Sequence, residues 1–160
     1  MKLHLALEAL HADENALAQE LLRVAERHKV DHDIYHLGRD LAIWSQRHVT
    51  EIATIATRFG AELDPEPDGE SALPEKMREK AAELMRRRGE PALLLLRDLR
   101  RVYTGAAGVY ADWELVAQAA QGLKDTELIE LAERCGAESK RQMAWANGKL
   151  KESATQILLS

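Results

Sequence analysis

Residues 3–28 read LHLALEALHADENALAQELLRVAERH. Leu3, Leu7, Leu10, Leu17, Leu21 and Val24 recur at alternating three- and four-residue steps, the period of a helix that buries one face against its neighbours. Carried through position 14, that period requires an apolar residue. The sequence has Glu14 there, with His11 one turn earlier on the flank of the same face. A carboxylate directed into a leucine seam is strongly unfavourable unless a proton, a cation or a hydrogen-bond donor compensates it. The stripe sets the fold class, and its one exception is where chemistry is to be sought.

Outward from this helix the same period returns three times. A second predicted helix, about 32–59, carries Ile34, Leu37, Leu41, Trp44, Ile52, Ile55 and Phe59, with Asp31 as its N-cap and Gly60 just past its end. His48 fills the slot between Trp44 and Ile52, and Glu51 follows three residues on. A third, about 91–121, is striped by Leu96, Leu99, Tyr103, Ala106, Tyr110, Trp113 and Ala117, with Gly122 after it. A fourth, about 125–158, is opened by Asp125 and carries Leu128, Leu131, Cys135, Trp145, Leu150 and Ile157; Glu138 and Gln142 interrupt that face near its centre. Between the second and third helices, residues 61–73 form an acidic linker broken by Pro65, Pro67 and Gly69. Pro74 then opens a short helix over 74–88, ended by Gly89-Glu90-Pro91.

No stretch alternates as a strand, so four long amphipathic helices give an all-α four-helix bundle, one domain over residues 1–160. The second helix is on the order of 40 Å long. Helices in simple up-and-down order need only a few linking residues. The segment from 61 to 90 therefore predicts a long crossover, with its short helix, between the second and third helices.

Composition excludes several classes of function. A net charge of −5 argues against nucleic acid or an anionic membrane as an obligatory partner. The longest apolar run, Ala92 to Leu96, is too short to span a bilayer. Glu8, His11, Asp13 and Glu14 arrive too early for a secretory signal, and the lone Cys135 excludes an internal disulfide. These features predict a cytoplasmic protein. Arg86-Arg87-Arg88 reads as a solvated face near a helix C-terminus, where cations are favoured. Glycines inside the predicted helices, Gly105 and Gly108 among them, each cost about 1 kcal/mol relative to alanine. Close helix approach accounts for them, as would a small-ligand cavity beside that pair.

Glu14, His48 with Glu51, Tyr103 with Tyr110, and Glu138 with Gln142 are each central in their own helix, so they meet at one depth whichever way the helices run. Carboxylate and imidazole suit iron, manganese or zinc, and bundle cores are where such sites are built from facing helices. On these residues, and on its helix lengths and long connection, the whole chain resembles the ferritin-like superfamily. That resemblance implies a ferritin-like bundle with iron or another transition metal among Glu14, His48, Glu51, Glu138 and His11. Tyr110, Gln142 and Tyr103 would stand around it, and the chemistry would be oxidation of ferrous iron or reaction with oxygen or peroxide. The family's dimetal pattern uses a Glu from each of two helices and a Glu-x-x-His pair from each of the other two. Glu14 matches the first-helix Glu; His48-Val49-Thr50-Glu51 has the pair reversed; Tyr110 stands on the third helix with Glu114 at the edge; the fourth has Glu138 and no histidine. The one forward Glu-x-x-His is Glu8-Ala9-Leu10-His11.

The residues alone also allow a metal-free polar layer. In that reading Glu14 accepts from His48, and Glu138 accepts from Tyr110 or pairs with His11. The protein is then a helical scaffold or interaction protein that self-associates as a homo-oligomer. A hemerythrin-like centre needs histidines on several helices, and all six here precede residue 49. His32 and His36 lie off the buried stripe and are expected at the surface.

Overall fold

The computed structural model describes residues 1–69, 83 and 91–160. They form four long helices, α1 (Leu3–Arg27), α2 (His32–Ala56), α3 (Pro91–Leu123) and α4 (Thr126–Leu159), with a 3-10 turn at Thr57–Phe59 after α2. Among the described residues there is no strand, and no helix is long and apolar enough to cross a membrane. The helix expected over 74–88, with Arg86–Arg88, lies outside the described residues apart from residue 83.

The ends follow from local chemistry. Asp31 and Asp125 cap α2 and α4 by accepting from the backbone N–H of Ile34 at 3.2 Å and of Leu128 at 3.0 Å. Gly60 turns the chain after the 3-10 helix at φ 85°, and the N–H of Ala61 reaches back to the Ala56 carbonyl at 3.1 Å. α3 does not stop before Gly122, as the sequence suggests. It runs on to Leu123, and Lys124 adopts the left-handed conformation (φ 55°), with the Asp125 N–H on the Ala120 carbonyl at 3.0 Å. Asp125 must be extended to cap α4, so the residue before it makes the reversal. A side chain in that conformation costs about 1 kcal/mol. Lys124→Gly should therefore stabilise the protein by about that amount, read as a higher urea midpoint with unchanged slope. A lower midpoint would show that the Lys124 side chain contributes more than its backbone costs.

Contacts along the helices fix their directions. Ala25 lies against Gly38, where an added Cβ would come within 3.1 Å of the Ala25 Cβ, and Glu14 meets His48, so α1 and α2 are antiparallel. Arg27 meets Asp98, Leu17 meets Gly105 and Glu14 meets Trp113, which sets α3 antiparallel to α1. α4 returns against α3, with Gly136 on Trp113, and crosses α2 at Lys149–Asp33, Gln142–Leu41 and Arg58–Asp125. α2 and α3 consequently run in the same direction. Of the adjacent helices, α2 and α4 approach each other least closely.

Residues 64–69 lie as a strap along successive turns of α1. The carbonyl of Asp64 meets His11 Nε2 at 2.8 Å, the N–H of Asp68 donates to Asn15 Oδ1 at 2.9 Å, and the carbonyl of Gly69 accepts from Gln19 at 3.3 Å. Thr50 of α2 donates to the carbonyl of Pro65 at 2.7 Å.

Leu7, Leu10, Leu17 and Leu21 are fully buried with Ile34, Ile52, Leu99, Trp113 and Leu128 around them. Two details depart from the sequence reading. Leu37, expected on the buried stripe of α2, is 42% exposed, and Gly38 takes the inner face. On α3 the core stripe is Leu99, Val102, Ala106, Val109, Trp113, Val116 and Ala120, while Tyr103, Tyr110 and Ala117 flank it half-buried. α3 carries two adjoining apolar stripes, and the tyrosines take the edge, where their hydroxyls reach polar surroundings.

Candidate functional site

Glu14 stands at mid-height in α1, and its Oε1 is the convergence point of three helices. His48 Nδ1 from α2 lies 2.8 Å away, and Trp113 Nε1 from α3 donates to the same oxygen at 2.8 Å. Glu14 and His48 are 0% exposed and Trp113 is 1% exposed. The rings of His48 and Trp113 meet edge to face, with centroids 6.0 Å apart at 84°. Among the described residues, Glu14 Oε2 and His48 Nε2 have no hydrogen-bond partner.

α4 completes the layer. Glu138 Oε2 faces His48 Nε2 at 3.7 Å, too long for a hydrogen bond, and accepts from Arg47 Nη2 at 2.6 Å. Arg134 grips Glu51 through both terminal nitrogens and lies 3.7 Å from Glu138 Oε1. Arg47 also stands 3.7 Å from Glu51. Two helix-spaced pairs, Arg47–Glu51 and Arg134–Glu138, thus face each other across the α2–α4 seam. The arginines are about half exposed, Glu51 less so, and Glu138 is nearly buried. One turn along α4, the Gln142 amide donates to the Leu41 carbonyl at 2.9 Å and to Ser45 Oγ at 2.8 Å. Cys135, one turn before Glu138, is fully buried. Burial first, then the carboxylate charges of Glu51, Glu14 and Glu138, pushes its thiol well above the ordinary range.

Of the residues singled out by sequence, Glu14, His48 and Glu138 are brought together, Glu51 joins them through the two guanidiniums, and Gln142 lies one turn away on Leu41 and Ser45. His11 is elsewhere, on the strap carbonyl of Asp64. Tyr110 is on Glu114, whose hydrogen bond and charge raise the phenol above its usual range, and Tyr103 packs on the hydrophobic core. His32 and His36 are exposed and stack on each other. Gly105 and Gly108 edge an open groove of about 440 Å³ with Asp13, Leu17, Glu20 and Arg101. A Cβ at Gly108 would meet nothing within 4 Å, so helix packing does not demand that glycine.

Sequence reasoning missed Trp113 as a donor, taking it for packing alone, and missed both arginines. The four-residue spacings Arg47–Glu51 and Arg134–Glu138 were the available signal. It also missed Asp98, a fully buried carboxylate at the top of α3, which accepts from Arg27 Nη1 at 3.0 and 3.1 Å and meets His28 Nε2 at 2.7 Å.

On the α1–α3 side, Asp112 is pushed up to about 6 by burial first, then by its hydrogen bond to Asp13 and the charges of Asp13 and Glu14. A carboxyl that holds its proton more tightly when folded favours the native state at low pH. That advantage is lost as pH rises from about 4 through about 6. Asp112→Asn should abolish this slope and raise stability at pH 7 by on the order of 1 kcal/mol, a figure discounted for partial exposure. Urea melts between pH 4 and 7 test it; a slope unchanged in the variant would remove Asp112 as its source.

The donor set differs from a dimetal-carboxylate centre. The third helix presents an indole N–H, which donates and cannot ligate. Glu138 and Glu51 already hold cations in Arg47 and Arg134. These residues do not fit two bridging metal ions, and among the described residues no three His, Cys, Asp or Glu side chains are grouped to hold one. No family model, curated protein or solved structure matches this chain.

Proposed function

We propose that this chain is a ferritin-like helical scaffold whose mid-bundle layer is a metal-free charge network, and that it acts through its surface as a self-associating interaction protein of the cytoplasm. The observation that carries this reading is that each carboxylate of the layer meets a donor from the protein itself: Glu14 meets His48 and Trp113, Glu138 meets Arg47, and Glu51 meets Arg134. Such a network fixes helix register, because sliding one helix by a turn strands a buried charge. The ferritin-like frame is supported by the common direction of α2 and α3. The strap that climbs α1 supports a crossover between them. Met1, Leu115 and Leu123 are exposed and line one groove between the start of α1 and the end of α3, apolar surface suited to self-association.

Glu14→Gln separates this reading from a catalytic one. The amide oxygen can still accept from His48 and Trp113, so fold and assembly persist, with a loss of about 1–3 kcal/mol for the altered hydrogen bonding. Light scattering and denaturant melts report both. Stoichiometric iron in the native protein, or a ferrous oxidation activity that Glu14→Gln abolishes, would overturn the proposal.

A second reading has one observation in its favour. Among the described residues, His48 Nε2 and Glu14 Oε2 are buried without partners, and Glu138 faces the imidazole. An iron ion between His48 Nε2 and Glu138 would use the first of these atoms, and redox chemistry would follow. Anaerobic ferrous loading followed by metal analysis decides between the two.

A further inference from the structure

The outer face of the α1–α3 seam carries two halves that complement each other. Toward the start of α1 lies an open apolar groove of about 430 Å³, lined by Leu3, Ala6, Leu115, Ala119, Gly122 and Leu123, with Lys2 beside them. Leu115 is 66% exposed, and Lys2 is exposed as well. Further along the same seam, the exposed Asp13 shares a hydrogen bond with Asp112 of α3, and the charge of Glu14 adds to theirs. None of the ion pairs among the described residues involves Lys2, Asp13 or Asp112. One half thus has a groove and an unpaired cation, and the other a protruding leucine and an unpaired acid pair.

The order of these features along the seam makes them self-complementary. Lys2 and Asp13 are about 16 Å apart along α1. Their midpoint falls between Leu7 and Glu8. Counted the same distance from Asp112 along the antiparallel α3, it falls between Ala117 and Gln118. Leu115 is on the acid side of that midpoint, while Leu3, Ala6, Ala119 and Gly122 are on the lysine side. A two-fold axis through the midpoint, perpendicular to the seam, reverses the order in a second copy. Each Lys2 then stands over the acid pair of the other copy, and each Leu115 over the other's groove.

We propose that two copies of this chain pair through the α1–α3 face as an isologous dimer, with Leu115 of each in the apolar groove of the other and Lys2 of each on the other's Asp13–Asp112 pair. The inference rests on the self-associating reading and adds the face, the symmetry and the contacts. The leucines supply apolar burial at the centre, and the flanking charges fix the register. Sliding one copy by a helix turn separates both leucines from their grooves and both lysines from their carboxylates, so the matched arrangement is favoured over shifted ones.

Sedimentation equilibrium of the full chain over about 1–500 μM tests it, at about pH 7.5 so that Asp112 is ionised. Wild type should show a monomer–dimer equilibrium. Leu115→Gln should weaken it at least 10-fold, since the leucine is at the centre of the contact. Lys2→Glu should also weaken it about 10-fold, as should an Asp13→Lys, Asp112→Asn double variant that turns the acid pair basic. Mixing those two charge variants in equal amounts re-pairs both sites between unlike copies, so heterodimers should form with close to wild-type affinity. All these changes lie at exposed or partly exposed positions, and unchanged helical circular dichroism checks that each variant folds. A dimer or larger assembly that is indifferent to Leu115→Gln and Lys2→Glu, or a mixture that stays as weak as its components, overturns the inference and leaves the self-associating reading intact. A wild-type chain that is monomeric throughout the range overturns both.

Discussion

Trp113→Ala should lower the stability of the bundle by about 4 kcal/mol, the largest single effect expected in this chain. Two losses combine. The indole fills the centre of the core at 1% exposure, so its removal opens a cavity between α1, α3 and α4. Its Nε1–H also leaves Glu14 Oε1 with His48 as the one remaining donor among the described residues. Trp113→Phe separates the terms, since the phenyl ring keeps most of the volume and has no N–H. Loss of the hydrogen bond to a buried carboxylate costs about 1–3 kcal/mol. Denaturant melts followed by circular dichroism should rank wild type above Phe and Phe above Ala. Phe equal to Ala would mean that the bond dominates, and Phe equal to wild type would mean that Glu14 does not need the indole.

Asp98→Ala is expected to cost about 3 kcal/mol. Asp98 is fully buried and holds the last turn of α1 to α3 through Arg27 and His28. Its removal leaves a cationic side chain, with at most 19% of its own surface exposed, facing the core without a counter-charge. The exposed Arg58–Asp125 pair is a built-in comparison, because its arginine is 44% exposed and water screens it. Arg58→Ala should cost far less and lose even that at high salt, whereas the Asp98 effect should persist in 1 M salt. An Asp98→Ala loss as small and salt-sensitive as that of Arg58→Ala would mean that water reaches the top of the bundle.

How far the sequence could be read depends on the kind of signal. Glu14 and His48 were visible because each breaks a leucine or tryptophan stripe, and a charge in a core position is conspicuous at any helix phase. The four long helices were equally plain, and their ends moved by only a few residues, as fraying and capping allow. The partners of the buried carboxylates were not legible. Arg47 and Arg134 lie beside the stripes and reach the layer only by length, so periodicity assigned them to the surface. Asp98 sits four residues before Val102, on the true stripe of α3. The aromatic residues Tyr103 and Tyr110 drew the sequence reading onto the neighbouring stripe and hid it. Leu37 failed for a related reason: at the close approach of α2 to Ala25, only Gly38 leaves room.

Cys135 gives the molecule a built-in reporter. Its sulfur is sealed beneath α4 and held as a thiol, so a disulfide reagent added to the native protein has neither access nor a nucleophile to meet. Labelling must wait for α4 to lift away from the rest, and its rate then counts those excursions. A single natural thiol thereby measures, without any introduced probe, how often this bundle breathes.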